Sequence, residues 1–464
     1  MKKIIAISTF MALSLFSCND SKTPVAPEIS QETTQSAEPV EVKHSGEDIV
    51  LTMAVTGGNP YVINGNDIVQ EFNDADNGYK IVLKDYAEGI NTNIVNTDET
   101  MSNYNMRIFT DISEGGNVDI IPCIFTDKGK FYNLAQKGAF QDLNTFLDED
   151  DEINHDTLID NVLQACIIED KLCYMPLSFS INTLAGPSKY VGNKENWTFE
   201  EMKEHWDKMP EGSTINWDTK KDTAYRVLLR GCLSSFIDYD NAECHFDSDE
   251  FVNMLTFVNS FDDPVAYKDD MLYNTPLFLF EESIFSFRKF HNNLYRENYQ
   301  TDEPITYVGY PTSDNSGTFV DTTSGVVAIS AFSSDEKKKG AWEFISMLVS
   351  YENQYQSASS DDYGFPINKK AFEDMGRDQY IHENEEKMID TVGGKVNEGF
   401  LSKAEYDKLV ELINNAKNVS IGIEDDIFDV IEDEIFNMIN GQKEPQQTAE
   451  DIQNRVQVLV SERS

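Results

Sequence analysis

The chain has 464 residues, of which 82 are acidic and 37 are basic, so its formal net charge is −45. A field of this sign repels nucleic acid, anionic lipid surfaces and polyanionic ligands, and it suits a neutral or cationic ligand. Much of the acid serves only to keep the protein soluble, so charge excludes partners better than it selects one. From Asp48 onward the composition is globular, and roughly 415 residues exceed what one hydrophobic core usually supports, which predicts two lobes.

The N-terminus has the composition of an export signal. Lys2 and Lys3 are followed by an apolar stretch, residues 4–16, which is too short to span a bilayer permanently. The sequence Leu-Phe-Ser-Cys at 15–18 resembles the bacterial lipobox, whose cysteine is acylated after cleavage. We therefore expect Cys18 to carry lipid such as palmitate and to anchor the protein on the extracytoplasmic side of the cell membrane. The alternative is an ordinary signal peptide with a chance cysteine.

The first 47 residues thus divide into two segments. Residues 1–17 are the predicted lipoprotein signal peptide, and residues 18–47 comprise the acylated cysteine and a tether. From Asn19 to Glu47 there is no aromatic residue, and three prolines interrupt a run rich in Thr, Ser, Gln and Glu. Such a composition cannot bury enough apolar surface to order itself, so we expect the tether to be disordered.

The next segments alternate strands and helices. The apolar run 49–55 predicts a buried strand, because it is short and ends at a Thr-Gly-Gly-Asn-Pro turn. A helix is expected to begin near Asn66 and to bury Ile68, Val69 and Phe72, followed by a strand at 79–83. This order is typical of a βαβ unit. A helix at 101–114 and a strand at 118–121 complete an α/β pattern for the first lobe.

Later helices are predicted from caps and apolar spacing. Thr198 and Glu201 form a capping box ahead of a stripe at Phe199, Met202 and Trp206. The remaining helices are predicted after the cap candidates Ser248 and Ser334, with inward stripes at Phe251, Leu255 and Val258 and at Trp342, Ile345 and Leu348, and at Ala449–Glu462 with Ile452, Val456 and Leu459 inward. We expect these stripes to be core.

The cysteines do not indicate a disulfide framework. Without Cys18 an odd number remains, so at least one thiol stays unpaired within the chain. Cys166 and Cys173 flank a plausible hairpin and could face each other, and Cys232 with Cys244 is the second candidate pair. Reduced, buried thiols are the alternative.

Common enzyme signatures are missing from the sequence. It has no phosphate-binding loop, no His-Glu-x-x-His, and no Gly-x-Ser-x-Gly elbow. The acidic turns at 74–78 and 238–241 lack the glycine and distal glutamate of a calcium loop. We therefore expect no metal, no cofactor and no catalysis. A surface-anchored glycoside hydrolase stays open, because it needs only two suitably spaced carboxylates, and an adhesin is a third hypothesis.

Several segments occur in a recognisable order. They are 118–122 with 134–143, 172–176, 196–202, 310–312, 324–330 with 340–346, 364–371 and 449–453. Together they resemble landmarks of the type 1 extracellular solute-binding proteins, the maltose-binding-like receptors of ABC importers. Two features depart from that family, Cys173 within the 172–176 segment and an acidic, aromatic-rich insertion at 278–295.

The resemblance implies an α/β, two-lobed periplasmic-binding-protein-like fold with hinge crossings between the lobes. One lobe would comprise residues 48–175 and about 325–365, and the other about 176–324 and 366–464. The crossings would lie near 174–180, 324–329 and 364–368. Such a receptor closes around its ligand and presents the closed form to a membrane permease.

The ligand class follows mainly from the same resemblance. The chain contains 20 tyrosines and 28 phenylalanines, and sugar sites stack rings against pyranose faces while polar groups bind hydroxyls. We therefore expect a mono- or oligosaccharide, captured by a monomer. An oligopeptide or another small polar solute is the alternative.

Most candidate ligand-binding residues directly follow strands or adjoin crossings, whereas Trp217 and Tyr225 flank the start of a helix in the second lobe, and Phe287 and Arg288 come from the insertion at 278–295. A strand or crossing that ends at the cleft delivers the next side chains to its rim. We expect the ligand to contact Asn59, Tyr61, Phe125, Ser178, Phe179, Trp217, Tyr225, Phe287, Arg288 and Tyr363.

Overall fold

The computed structural model describes residues 46–462 with gaps, and all of them belong to one unit, His44–Ser464. The predicted signal peptide, Cys18 and nearly all of the tether therefore lie outside the described residues. The gaps are 57–59, 64–65, 88–105, 113, 116–117, 124–130, 132–133, 169, 217, 239–240, 264–275, 292–303, 315, 323–324, 358–363, 381–387, 392–393, 398–400, 417 and 420–424.

The first sheet has five strands in the order β4-β1-β5-β15-β8. Its central strands, β1 (Ile49–Val55) and β5 (Ile120–Cys123), are parallel to each other and to β4 (Tyr79–Asp85). β15 (Val326–Ile329) is antiparallel to both β5 and β8 (Met175–Pro176). The sheet thus combines an N-terminal βαβ unit with a strand that returns from much later in the chain.

Local sequence signals predicted this sheet well. The strand at 49–55 is confirmed with its bounds, and the strand predicted at 79–83 continues to Asp85. The third strand begins two residues late, at Ile120. Asp119 directly precedes this strand and pairs with β1 through its side chain, because the Thr52 amide donates to Asp119 Oδ2 at 2.8 Å.

The helix between the first two long strands, α1 (Ile68–Asp74), has a side-chain cap. Asp67 Oδ1 accepts a hydrogen bond from the Gln70 amide, which satisfies one of the free N–H groups at the helix start. Its buried residues are Ile68, Val69 and Phe72, as the spacing predicted. The predicted helix at 101–114 is helical over 106–112.

The second sheet is built around one long strand, β9 (Ser178–Pro187). Its partners are all antiparallel to it, and β19 (Asn418–Val419) extends the sheet parallel to one of them, β14. The partners are β12 (Phe280–Ile284), β13 (Ile305–Tyr307), β14 (Phe319–Asp321) and β16 (Phe365–Pro366).

The chain passes between the two sheets at three places, which confirms the predicted crossings. The first is Leu177, between β8 and β9, and the second lies between Asp321 and Val326. The third reaches β16 at Gly364, whose φ is 85°. A Cβ at Gly364 would lie 2.9 Å from the carbonyl oxygen of Phe179, so glycine is required there.

Two hydrophobic clusters support the sheets. The first surrounds Leu51 and Ile120 of the first sheet and continues to Phe179 and Ile181 of β9. The second packs on the opposite side of the second sheet and includes Trp197 among the buried aromatic residues. The predicted stripes belong to these clusters, although Trp206 and Leu459 are only partly buried.

Three of the predicted caps are confirmed. Thr198 and Glu201 form the capping box, and Ser248 and Ser334 each accept a hydrogen bond from an amide three residues on. The last helix begins earlier than predicted, because Pro445 occupies its first turn, where a missing N–H costs nothing. The further helices are α2 (Asn144–Leu147), α3 (Asp160–Ala165), α4 (Ser188–Val191), α5 (Phe199–Trp206), α6 (Lys221–Leu228), α7 (Asp249–Asn259), α8 (Asp335–Leu348), α9 (Tyr351–Ser357), α10 (Lys369–Tyr380), α11 (Lys403–Asn415), α12 (Asp425–Ile439) and α13 (Pro445–Ser461).

Short elements complete the described fold. A 3-10 helix spans Arg230–Phe236. The remaining strands form two-residue and four-residue hairpins, namely β2 (Val62–Ile63) with β3 (Asn66–Asp67), β6 (Ile167–Ile168) with β7 (Lys171–Leu172), β10 (Ile237–Asp238) with β11 (Glu243–Cys244), and β17 (Met388–Thr391) with β18 (Gly394–Asn397).

The four described cysteine side chains, at 166, 173, 232 and 244, are reduced and buried. The hairpin predicted between Cys166 and Cys173 exists, but neither candidate disulfide forms. The Sγ of Cys232 instead donates to the carbonyl of Leu229, and that of Cys244 to the carbonyl of Gln453. Burial raises the pKa of the Cys166 and Cys232 thiols to about 12, so both stay protonated and unreactive at neutral pH.

Candidate functional site

In both sheets the carboxyl ends of parallel strands lie beside the crossings. In the first sheet, β5 ends opposite the start of β15. In the second, β14 ends at Asp321 opposite Ser180, and β12 ends at Ile284 opposite Ile181, next to the first crossing. We call this region of both sheets the crossing edge. Open α/β sheets bind ligands at such carboxyl ends, which makes the crossing edge the candidate site.

The second sheet presents polar side chains at the crossing edge. Ser283 lies directly opposite Asn182, and Glu281 lies opposite Leu184, so all four side chains share one face. Asn182 Nδ2 donates to Asp321 Oδ2 at 3.1 Å. Glu281 and Ser283 are exposed, and Asn182 and Asp321 are half-buried. We call Asn182, Glu281, Ser283 and Asp321 the polar floor.

Side chains from α6, α12 and the 3-10 helix lie beside the floor and form a rim. The guanidinium of Arg230 lies over the Phe428 ring, 5.1 Å from its centroid, and Arg230 Nε is 3.9 Å from Glu432 Oε1. Tyr225 Oη donates to Glu432 Oε1 at 3.2 Å. Arg226 and Arg230 are about half exposed. The rim therefore combines a ring, two cations and a carboxylate near solvent.

The carboxylate of Glu281 lies in an environment that favours its neutral form. Although the residue is exposed overall, the protein around its carboxylate desolvates that group and raises its pKa. A hydrogen bond from Tyr310 Oη at 3.0 Å and the charges of Arg230 and Arg226 partly oppose this rise. Burial also raises the pKa of Tyr310 and of Tyr225, so both hydroxyls remain donors at neutral pH. Floor and rim thus offer both hydrogen-bond donors and acceptors, the groups that bind sugar hydroxyls.

Four of the predicted rings lie in the hydrophobic clusters. Phe179 and Tyr225 are 0% exposed, Phe287 is 3% exposed and Tyr61 is 7% exposed. Phe179 and Phe287 both pack against Phe365, with ring centroids 5.5 and 5.1 Å away. A ring that follows a strand can turn into the core as easily as toward a cleft. Their burial does not support stacking on a ligand, and the proposal below leaves the four rings out.

The other predicted residues are placed differently. Ser178 is half-buried at the start of β9, at the crossing edge, and Arg288 is exposed just after β12. Asn59, Phe125, Trp217 and Tyr363 lie outside the described residues. The described ends of β1 and β5, and Gly364, nevertheless lead into the segments that hold Asn59, Phe125 and Tyr363.

Sequence reasoning missed the polar floor and, apart from Tyr225, the rim. A signal for the floor was present, because the sequence Ser-Phe-Ser-Ile-Asn at 178–182 alternates polar and apolar residues. Alternation of this kind predicts a strand with one polar face. The rim left no comparable signal, because its residues come from helices far apart in the chain.

A separate groove of about 370 Å³ lies between α3, α10 and α11. Phe372 and Tyr406 line it together with charged groups such as Lys369 and Glu373. None of its lining residues belongs to the floor or the rim, so it is distinct from the candidate site.

The described residues contain no group of three or more His, Cys, Asp or Glu side chains arranged to hold a metal ion. Within the same part of the chain, no helix is long and apolar enough to cross a membrane.

Residues 67–386, more than half of the chain, match the family model of the bacterial extracellular solute-binding proteins. This chain belongs to that family. The match covers β9, the polar floor and all three crossings of the solute-binding protein. The family consists of binding proteins rather than enzymes.

Solved structures with the same two-lobed fold extend over nearly the whole solute-binding protein. A periplasmic oligogalacturonide-binding protein from Yersinia enterocolitica has 14% identity and a TM-score of 0.57, covering 89% of this chain and 100% of its own. The sugar-binding protein MalE from Xanthomonas citri has 11% identity and a TM-score of 0.54, covering 89% and 98%.

A third structure, the cyclic alpha-maltosyl-1,6-maltose binding protein from Arthrobacter globiformis, has 14% identity and a TM-score of 0.51, covering 89% and 100%. At these identities the likeness establishes the fold alone. No curated protein sequence matches the chain.

Proposed function

We propose that this solute-binding protein is the receptor of a sugar ABC importer. It captures a mono- or oligosaccharide at the crossing edge by closure of its lobes and delivers it unchanged to a membrane permease. The polar floor carries the proposal, since exposed hydrogen-bonding groups there adjoin the crossings about which the lobes would move. The sugars named for the similar structures from Yersinia and Arthrobacter support the ligand class.

The ligand would bind between floor, rim and the segments that follow β1 and β5. Asn182, Glu281 and Arg230 supply hydrogen bonds, and Phe428 supplies a partly buried ring. Ser178, Arg288, Asn59, Phe125, Trp217 and Tyr363 remain proposed contacts from the sequence. The two lobes are residues 48–175 with about 325–365, and about 176–324 with 366–464, and the receptor acts as a monomer without a cofactor.

A thermal-shift screen of mono- and oligosaccharides, followed by calorimetry, tests this function. A cognate sugar raises the melting temperature, because it binds only the folded state, and it lowers the radius of gyration as the lobes close. Arg230→Ala should weaken binding by about 1–3 kcal/mol, the scale of a central contact. Gln446→Ala, on the exposed surface of α13, is the matched control.

The same experiment separates the alternatives. Recovery of a cleaved sugar would replace the receptor by a glycoside hydrolase, with Glu281 as a candidate acid. Stabilisation by oligopeptides alone would change the ligand class, and a protein that responds to no solute and keeps its radius of gyration would argue for an adhesin.

We also propose that Cys18 carries the lipid anchor, on the strength of the lipobox-like sequence at 15–18. Wild-type protein should incorporate labelled palmitate in cells and partition into detergent. Cys18→Ala should do neither, because the thiol is the acylation site. Equal labelling of both proteins would refute the anchor without affecting the sugar-binding proposal.

A further inference from the structure

A continuous series of hydrogen bonds connects all three crossings. The amide of Leu177, the first crossing, donates to the carbonyl of Gly325 in the second at 3.1 Å. The carbonyl of Leu177 accepts from Gln354 Nε2 at 3.0 Å, and Gln354 Oε1 accepts from the Ile367 amide, just after the third crossing, at 2.9 Å. A single side chain thus joins the first crossing to the third.

Gln354 is almost completely enclosed, with 3% of its surface exposed. Its second Nε2 proton goes to the carbonyl of Leu348, at 3.1 Å, and the Asn368 amide also approaches Oε1, at 3.5 Å. Only an amide side chain supplies two donors and an acceptor of this reach. A carboxylate would face two carbonyl oxygens, and an apolar side chain would leave buried backbone groups unpaired.

The buried contacts of Gln354, rather than its place in α9, account for glutamine at this position. Gln356, two residues later in the same helix, is exposed. The neighbouring contacts reinforce the junction instead, since Asn368 Nδ2 donates to the carbonyl of Val349 at 3.1 Å. The amide groups at 354 and 368 therefore serve the backbone of the crossings.

The second and third crossings are packed differently. A Cβ at Gly364 would meet Phe179 O at 2.9 Å, whereas a Cβ at Gly325 would meet no atom of the described residues within 4 Å. Gly325 has a φ of 137°, a conformation that glycine adopts without strain. The third crossing is thus held tightly against β9, and among the described residues the second is less closely packed at Gly325.

We propose that Gln354 is a positioning residue for lobe movement. Its side chain holds the first and third crossings together as one unit. The relative orientation of the two sheets is then limited by this unit and by the second crossing. Gln354 would thereby set the spread of lobe orientations before any ligand arrives. The inference rests on the proposed function only in taking lobe movement as the means of capture.

The test measures lobe orientation in the full-length protein without sugar. Spin labels at Val82→Cys on β4 and Val458→Cys on α13, which are 52% and 55% exposed, report the distance between the lobes. Cys18 and Cys123 are replaced by alanine in every sample, and the four buried thiols stay. Gln354→Met and Gln354→Glu are compared with wild type and with Gln356→Glu, which makes the same charge change on the exposed side of the helix.

Wild type and Gln356→Glu should give one narrow distance distribution. Gln354→Met should show a second distance population above about 10%, the upper limit expected of a minor conformer in the native protein. Gln354→Glu should show a larger one if it folds, and Gln354→Met decides if it does not. A wild-type distribution in Gln354→Met, even with a lowered melting temperature, would overturn the proposal, because Gln354 would then only stabilise α9. A failed sugar screen would leave this result unchanged.

Discussion

The two faces of β9 have opposite characters although their residues alternate along one strand. Phe179 and Ile181 face the first hydrophobic cluster and are fully buried. Asn182 points to the opposite face of the strand, where it belongs to the polar floor. Two residues further along, at Leu184, that same face becomes apolar. The strand therefore stabilises the fold with one face along its whole length.

Its other face is divided. Beside the crossings, this face of the sheet carries polar groups whose hydrogen-bonding capacity the protein satisfies only in part. Glu281 and Ser283 of the paired strand β12 are examples. Away from the crossings it builds the second cluster. Whether a residue of this sheet contributes to stability or to binding therefore depends on which face it occupies and how far it lies from the crossings. Substitutions on the two faces should have different consequences.

The largest effect is expected on the apolar face. Phe179→Ala should lower the free energy of unfolding by about 3–5 kcal/mol, because it removes a fully buried ring that packs on Phe365. Urea denaturation measures the loss. A change of less than about 1 kcal/mol would mean that the ring is not a core residue and would return it to the list of ligand contacts.

A smaller loss of stability is expected on the polar face. Asn182→Ala removes one hydrogen bond to Asp321 and should cost about 1 kcal/mol of unfolding free energy. The binding free energy of the Asn182→Ala variant for the cognate sugar should weaken by about 1–3 kcal/mol in calorimetry, because the variant lacks an amide at the crossing edge, where the sugar binds. Wild-type affinity in this variant would remove Asn182 from the site and blur the contrast between the faces.

The smallest effect is expected at Glu281 and depends on pH. Although the residue is exposed overall, desolvation of its carboxylate by the surrounding protein holds its pKa above the ordinary value, so the folded protein disfavours the ionised form. Wild-type stability should therefore decline as pH rises from the unfolded-state pKa, about 4.3, through the folded pKa. Glu281→Gln lacks this decline, and its melting temperature should gain on wild type as the pH rises from about 4.3 to neutral.

The control for this profile is Glu243→Gln, an exposed carboxylate on β11. A melting-temperature difference for Glu281→Gln that is constant with pH, or that shrinks as pH rises, would contradict the raised pKa. Either result would weaken the view that the floor holds a desolvated carboxylate at Glu281.

The amino-acid sequence alone determined the elements and the family. The run at 49–55, the spacing of Ile68, Val69 and Phe72, and the caps at Thr198, Ser248 and Ser334 are local patterns, and each formed the element that it predicted. Local patterns are reliable here because burial repeats every second residue in strands and every third or fourth in helices. The order of the landmark segments then indicated the two-lobed receptor and its three crossings.

Only the tertiary structure decided which partner each element faces. Phe179 and Phe287 follow crossing or strand positions as a ligand contact would, yet both turn into a cluster completed by Phe365 from much later in the chain. The rim joins Arg230 to Glu432, and Gln354 reaches Leu177, across about two hundred residues of sequence. Such pairings arise from the packing of distant segments, which periodicity and caps do not encode, so the polar floor, the free thiols and the junction at the crossings emerged only from the folded chain.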